Sequence, residues 1–189
     1  MFARTTRLLL RPGFPEDAPA LANAIGDFGI VRNLATAPWP YRLRDAEAFL
    51  AAPRDPVLPS FLILERTGGE PRLVGSCGFG RRPSGAIEMG SWIARTDWGR
   101  GFASESGAAL VEIARALRLP AIEASHFLDN PASGRVLEKL GFEPIGIVAP
   151  RRCFARGGDS PARLYRLLLA ESPRRSVRAA AETREPIAA

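Results

Sequence analysis

The stretch RTDWGRGFASESGAALVEIARAL, Arg95 to Leu117, sets Gly99 and Gly101 around Arg100 and runs without a break into an amphipathic helix. The first N–H groups of such a helix have no intrahelical partner and lie at the positive end of its dipole, so the turn can hold an anion. The same residues fit a plain strand-to-helix connection in which glycine only supplies unusual backbone angles. The turn alone does not separate the two readings.

The surrounding pattern is that of an α/β chain. TTRLLLR (Thr5 to Arg11) reads as a strand, and PEDAPALANAIGDFG as a helix with Leu21, Ile25 and Phe28 at helical spacing. After the loop ATAPWPYRL, a second helix is expected from Arg44 to Ala51, with Ala46, Phe49 and Leu50 on one side. SFLILER and RLVGSCGFG flank a Gly-Gly turn as a hairpin, and AIEMGSWIAR adds a strand that leads into the glycine turn. The helix that follows presents Gly107, Leu110, Val111, Ala114 and Leu117 on one face and stops at Pro120.

AIEASHFL is the next strand. NPASGRVLEKLG is a short helix with Asn130 as N-cap, Pro131 at its first position and Gly141 just past its end. FEPIGIVA and RLYRLLLA close a sheet of about seven strands. Residues 1–170 are expected to form one domain, and 171–189, SPRRSVRAAAETREPIAA with its preceding Glu171, a mobile tail without apolar periodicity.

Composition narrows the chemistry. Cys77 and Cys153 have no CxxC spacing, and the single histidine, His126, cannot build a His-rich site with them, so neither a metal centre nor a disulfide framework is expected. The net charge is +6, but Lys139 is the only lysine among 26 basic residues, and the arginines are scattered. Scattered arginine without interleaved aromatics argues against direct nucleic-acid binding. No apolar run approaches the roughly 18 residues of a membrane span, and the N-terminus lacks a secretory h-region; a cytoplasmic protein with no membrane partner is expected.

Taken in order, TTRLLLRPGFPEDAPAL, IEMGSWIARTDWGRGFASE and DNPASGRVLEKLGF resemble the GNAT superfamily of acetyl-CoA-dependent N-acetyltransferases, over about Thr5 to Leu169. The branch most similar contains the RimJ/RimL-like ribosomal-protein N-terminal acetyltransferases. The resemblance implies a GNAT fold: a mixed, twisted central sheet flanked by helices, with a splayed strand pair that holds acetyl-CoA, the acyl donor, and no metal. The family's pyrophosphate loop, Q/R-x-x-G-x-G/A, stands here as WGRGFA, with Gly101 and Ala103 matching and Trp98 departing from the usual first residue.

By that resemblance the main chain of Gly99, Arg100, Gly101, Phe102, Ala103 and Ser104 would face the coenzyme pyrophosphate, with a charge contact added by Arg100. Ile93, Ala94 and Arg95 would be left unpaired to bond the pantetheine and polarise the acetyl carbonyl. Asn130 and Ser133 match cofactor-contacting positions, although Asn130 also fits plain helix capping. A nucleoside triphosphate loop is excluded, since it needs a Gly-Lys pair that the chain lacks.

Glu88 matches an acidic position near the incoming amine and is the candidate general base; a solvent-facing strand glutamate is the other reading. No tyrosine stands between Tyr41 and Tyr165 to return a proton to the leaving thiolate, so Ser133 or water must serve. Trp39 and Tyr41 are candidates for the acceptor pocket, His126 for a partnered structural residue and Trp92 for the core. The acceptor implied is a primary amine, on a protein N-terminus or a small molecule, attacked directly in a ternary complex by a monomer or homodimer. Two rivals stand beside this reading: a non-catalytic acyl-CoA sensor and an RNA-associated basic domain.

Overall fold

A computed structural model describes residues 1–169; the expected tail lies outside them. The chain opens with β1 (Ala3–Arg4) and β2 (Leu8–Arg11), then α1 (Ala18–Ile25), α2 (Phe28–Val31) and α3 (Leu43–Ala51). Strands β3 (Ser60–Glu65), β4 (Arg72–Arg81) and β5 (Ile87–Ile93) form the meander that leads to α4 (Phe102–Ala116). β6 (Ala121–Phe127), α5 (Pro131–Lys139), β7 (Glu143–Cys153) and β8 (Gly158–Leu168) complete one eight-stranded sheet of order β1-β2-β3-β4-β5-β6-β8-β7.

Alternation along the strands divides the core into two layers. Phe61 and Ile63 of β3 join Leu110, Val111 and Ala114 of α4, while Leu62 and Leu64 pack on Leu21, Ala46 and Leu50 of α1 and α3. β5 obeys the same parity: Met89 and Ile93 enter the α4 layer, and Trp92 packs on the α1–α3 side. Glu88 and Gly90, of the same parity as Trp92, therefore belong to the α1–α3 face. Trp92 is partly buried there, as the wall between two clusters.

Several boundaries differ from the sequence expectation. The first strand is broken into β1 and β2, because Thr5 turns the chain: its N–H donates to the Leu8 carbonyl at 2.9 Å and its hydroxyl accepts from the Leu8 N–H at 3.0 Å. The first helix ends at Ile25, and Asp27 caps a new turn by accepting from the Gly29 N–H at 2.6 Å. That break turns Phe28 outward, 42% exposed, instead of into the core. Phe49 is likewise exposed while Ala46 and Leu50 are buried, so the stripe on α3 is narrower than its composition implies.

The closing strands are longer than FEPIGIVA and RLYRLLLA. Pairing continues beyond FEPIGIVA through Cys153 and resumes at Gly158, ahead of RLYRLLLA, so that Pro150 stands opposite Pro161. Placed face to face, the two prolines lose no ladder partner to each other. The sheet has eight strands rather than about seven because β1 is split from β2 at Thr5.

Candidate active site

All strand neighbours are antiparallel except β5 and β6, which run parallel and share a single ladder pair, Glu88 with Glu123. Beyond that pair the two strands diverge. Val74 accepts from the Ala94 N–H at 2.8 Å, so residues of the opposite parity on β5, Ser91 and Ile93, direct their main-chain groups into the gap.

The expectation that Ile93, Ala94 and Arg95 are all unpaired holds only in part. Ala94 is bonded on both sides, its carbonyl accepting from the Asp97 N–H at 2.9 Å. The Ile93 carbonyl accepts from Trp98 Nε1 at 2.8 Å and the Arg95 carbonyl from the Trp98 N–H at 3.3 Å. What remains for a ligand is the N–H of Ile93 and of Arg95. Trp98, the residue that departs from the family motif, therefore ties the end of β5 to the start of the loop.

In that loop Gly99 and Gly101 adopt left-handed φ values of +78° and +82°, which a side chain disfavours. None of the N–H groups of residues 99–104 donates to a main-chain carbonyl among the described residues outside the helix, and the first capping bond runs from the Glu105 N–H to the Gly101 carbonyl at 3.1 Å. Unpaired amides at a helix start can hold an anion. A Cβ on Gly101 would meet Arg7 Nη2 at 3.4 Å, so the glycine is required by backbone angle more than by space.

Arg100 does not turn toward this cradle. Its guanidinium donates to Asp97 at 2.6 Å and to Glu65, and lies 4.5 Å from the centroid of the buried Phe102 ring. Arg7 lies 4.8 Å from the same ring and is held by Glu105 at 2.7 Å. The Arg100 guanidinium, expected to meet a phosphate, is engaged here by Asp97 and Glu65. Ala103 and Ser104 are partly buried in the first turn of α4. Asp97, buried and unsuspected from sequence, anchors the Arg100 guanidinium.

Asn130 and Ser133 bond each other: Asn130 Nδ2 donates to Ser133 Oγ at 2.9 Å, and Oδ1 accepts from the Ser133 N–H at 3.4 Å. Capping is therefore present, and the Ser133 hydroxyl keeps its own proton to donate. Gly134, next along, lies so close to β6 that a Cβ there would come within 2.8 Å of His126 Nε2. His126 is partnered, through Nδ1 to the Phe127 carbonyl at 2.8 Å and through Nε2 to Tyr165 at 3.4 Å. Tyr165 is 1% exposed and its hydroxyl donates to Glu138 at 3.2 Å.

Glu88 is not a solvent-facing strand residue. Its Oε1 accepts from Arg82 at 3.3 Å, from the Ser125 hydroxyl at 3.1 Å and from Arg151, which reaches over from β7. Oε2 has no hydrogen-bond partner among the described residues. Burial pushes the carboxyl pKa up, and Arg82 and Ser125 pull against that rise.

On the α1–α3 side, Trp39 is 46% exposed and its ring lies tilted against Phe28 with centroids 5.3 Å apart. Tyr41 is partly buried between two clusters, and burial pushes its hydroxyl up to about 12. Arg156 at the tip of the closing hairpin bonds Asp129 at 2.8 Å and the Arg32 carbonyl at 2.6 Å, joining β7–β8 to the segment after α2. A groove of about 490 Å³ lined by Val57, Arg81, Ile87, Leu119 and Leu168 opens at the Ile87 end of β5, where Glu123, the ladder partner of Glu88, also lines it. Among the described residues no helix is long and apolar enough to cross a membrane, and no three His, Cys, Asp or Glu side chains gather as a metal site.

The diverging parallel strand pair followed by a glycine turn and helix is the arrangement that the resemblance to the GNAT superfamily implies. Residues 7–143 match the acetyltransferase (GNAT) domain, and the chain belongs to that family as an acetyl-CoA-dependent acetyltransferase. It is 29% identical over 151 residues to a Bacillus licheniformis protein named uncharacterized N-acetyltransferase p20, covering 76% of this chain and 83% of that one. A GNAT-family acetyltransferase from Bacillus anthracis superposes with a TM-score of 0.75 at 22% identity, over 90% of this chain and 100% of that one. RimL, a ribosomal L7/L12 alpha-N-protein acetyltransferase solved with coenzyme A, superposes with a TM-score of 0.72 at 17% identity, over 89% and 98%.

Proposed function

We propose that residues 1–170 form one catalytic domain that transfers acetyl from acetyl-CoA to a primary amine by direct attack in a ternary complex. The observation that carries this reading is what β5 bears along its length. At one end of the strand lie the free amides of residues 99–104, and on its α1–α3 face stands Glu88 with one carboxylate oxygen open.

The residues fit the cosubstrate. Gly99 to Ser104 supply N–H donors for the pyrophosphate, Asn130 and Ser133 polar contacts for the arm, and the gap between β5 and β6 a slot into which Ile93 N–H points. Acetyl-CoA, when bound, supplies an acetyl group activated as a thioester. Glu88 Oε2 takes a proton from the acceptor ammonium, directly or through water, so that the nitrogen arrives neutral. Ser133 or water returns a proton to the thiolate; buried Tyr165, engaged with Glu138 and His126, is spoken for.

The acceptor amine is on a protein N-terminus or a small molecule. Purified protein incubated with acetyl-CoA and panels of N-terminal peptides and small amines should release free thiol with at least one acceptor. Binding of acetyl-CoA without turnover on any acceptor would instead favour a non-catalytic acyl-CoA sensor.

A further inference from the structure

Beside Glu88, two guanidinium groups are held in a half-buried setting with more positive charge than the protein itself neutralises. The side chains of Arg82 and Arg151 are 18% and 21% exposed, and both donate to the same Glu88 oxygen. The neighbouring Glu123 is committed to Arg166 at 2.8 Å. Two cations therefore share one anion. Arg151 uses only Nη2, toward Glu88 and Ser125, and Arg82 only Nη1, so most of the donors of both forks have no partner among the described residues.

Room exists for a ligand at this place. Gly90, two residues from Glu88 on the same face of β5, would direct a Cβ into open space, and Ser125 is the small residue opposite. An ammonium could meet the open Oε2 of Glu88 while an anion met the free edges of the two guanidinium groups, since carboxylate and phosphate match that fork. A half-buried unbalanced cation is unfavourable until such an anion arrives.

We propose that the acceptor is an amine carrying a carboxylate or phosphate close to the reacting nitrogen, bound by Arg151 and Arg82, with its ammonium on Glu88. This rests on the acetyltransferase reading and narrows its substrate class. The anion can belong to a free amino-acid-like molecule or to an acidic first residue of a peptide.

The test uses matched acceptors: amino acids against their amides, an aminoalkyl phosphonate against the corresponding alkylamine, and peptide amides beginning with Asp against those beginning with Asn. With acetyl-CoA, the anionic member should have kcat/KM at least about tenfold higher, the scale of one charge-assisted contact. The lower amine pKa of the neutral amides works against that result. Arg151→Gln should bring each pair within about threefold, Arg151→Lys should restore part of the preference, and calorimetric binding of the same pairs without acetyl-CoA should show the same order. The proposal is overturned if neutral members match or exceed anionic ones, or if the preference survives in both Arg151→Gln and Arg82→Gln. Preference in one peptide or small-molecule arm alone identifies the source of the anion. Failure to bind acetyl-CoA would overturn the acetyltransferase reading, while calorimetric selection for the anion would still stand or fall by itself.

Discussion

Arg72 grips the carboxylate of Asp97 with both ends of its guanidinium, Nη1 at 2.8 Å and Nη2 at 2.6 Å. Arg100 adds a third bond at 2.6 Å and Thr96 a fourth at 3.1 Å, so β4, the end of β5 and the glycine loop meet on one buried carboxylate that is 2% exposed. The glycine loop before α4 is thus fixed from below.

Asp97 should make stability depend on acid. The Arg72 hydrogen bonds, with Arg100 and Thr96, lower its pKa from 3.8 to about 2 against the cost of burial. Its folded value lies below its unfolded one, so the contribution is fully present above about pH 4 and is lost as the pH falls toward 2; its size is on the order of 2 kcal/mol. Urea melts of wild type and Asp97→Asn should differ at pH 7 and converge in that acid window. Equal stability at pH 7 would remove the anchor.

Gly101→Val should weaken acetyl-CoA binding at least about tenfold and destabilise the fold by roughly 1–2 kcal/mol, because a branched residue resists the left-handed backbone. Calorimetry on the folded variant separates the two effects. Arg100→Ala, whose side chain faces Glu65 and Asp97, should reduce stability more than affinity. If Arg100→Ala instead abolished binding in a stable protein, the main chain would not be the principal ligand.

Glu88→Gln should lower kcat about 100-fold or more and leave acetyl-CoA affinity nearly unchanged. As a base Glu88 must be deprotonated, and burial has moved its pKa up. The acid limb of the wild-type pH–rate profile should therefore lie above the ordinary carboxylate range, with the rate falling as the pH drops through it. Full activity in the variant would return Glu88 to a purely structural part.

Trp39→Ala should raise the acceptor KM and spare that of acetyl-CoA, since Trp39 is half exposed and its ring lies against Phe28. A loss of cofactor affinity would mean that the acceptor lies elsewhere.

Tyr165→Phe should change kcat less than about threefold while costing about 1 kcal/mol of stability, the scale of a buried hydroxyl's hydrogen bond. A large fall in kcat with unchanged stability would make Tyr165 a proton donor after all.

Local order was legible in the chain itself. Asn130, Pro131 and Gly141 mark the ends of α5 because caps and φ preferences act over three or four residues, and Gly99 and Gly101 announce a left-handed turn for the same reason. The spacing of Leu110, Val111 and Ala114 likewise states which face of α4 is buried. The break at Gly26–Asp27 and the outward turn of Phe28 were missed because an unbroken apolar period hid a competing cap.

The chemistry of the site depended on pairings that no local rule encodes. Glu88 and Arg151 are 63 residues apart, and Asp97 and Arg72 are 25 apart; each pair exists only because the sheet carries two strands to one place. The same holds for Arg100, which by sequence belongs to the anion turn and by packing belongs to Glu65 and Asp97. Which residues can form a turn or a helix is settled by neighbours along the chain, whereas which charge faces which is settled by the curl and parity of strands brought together from distant segments.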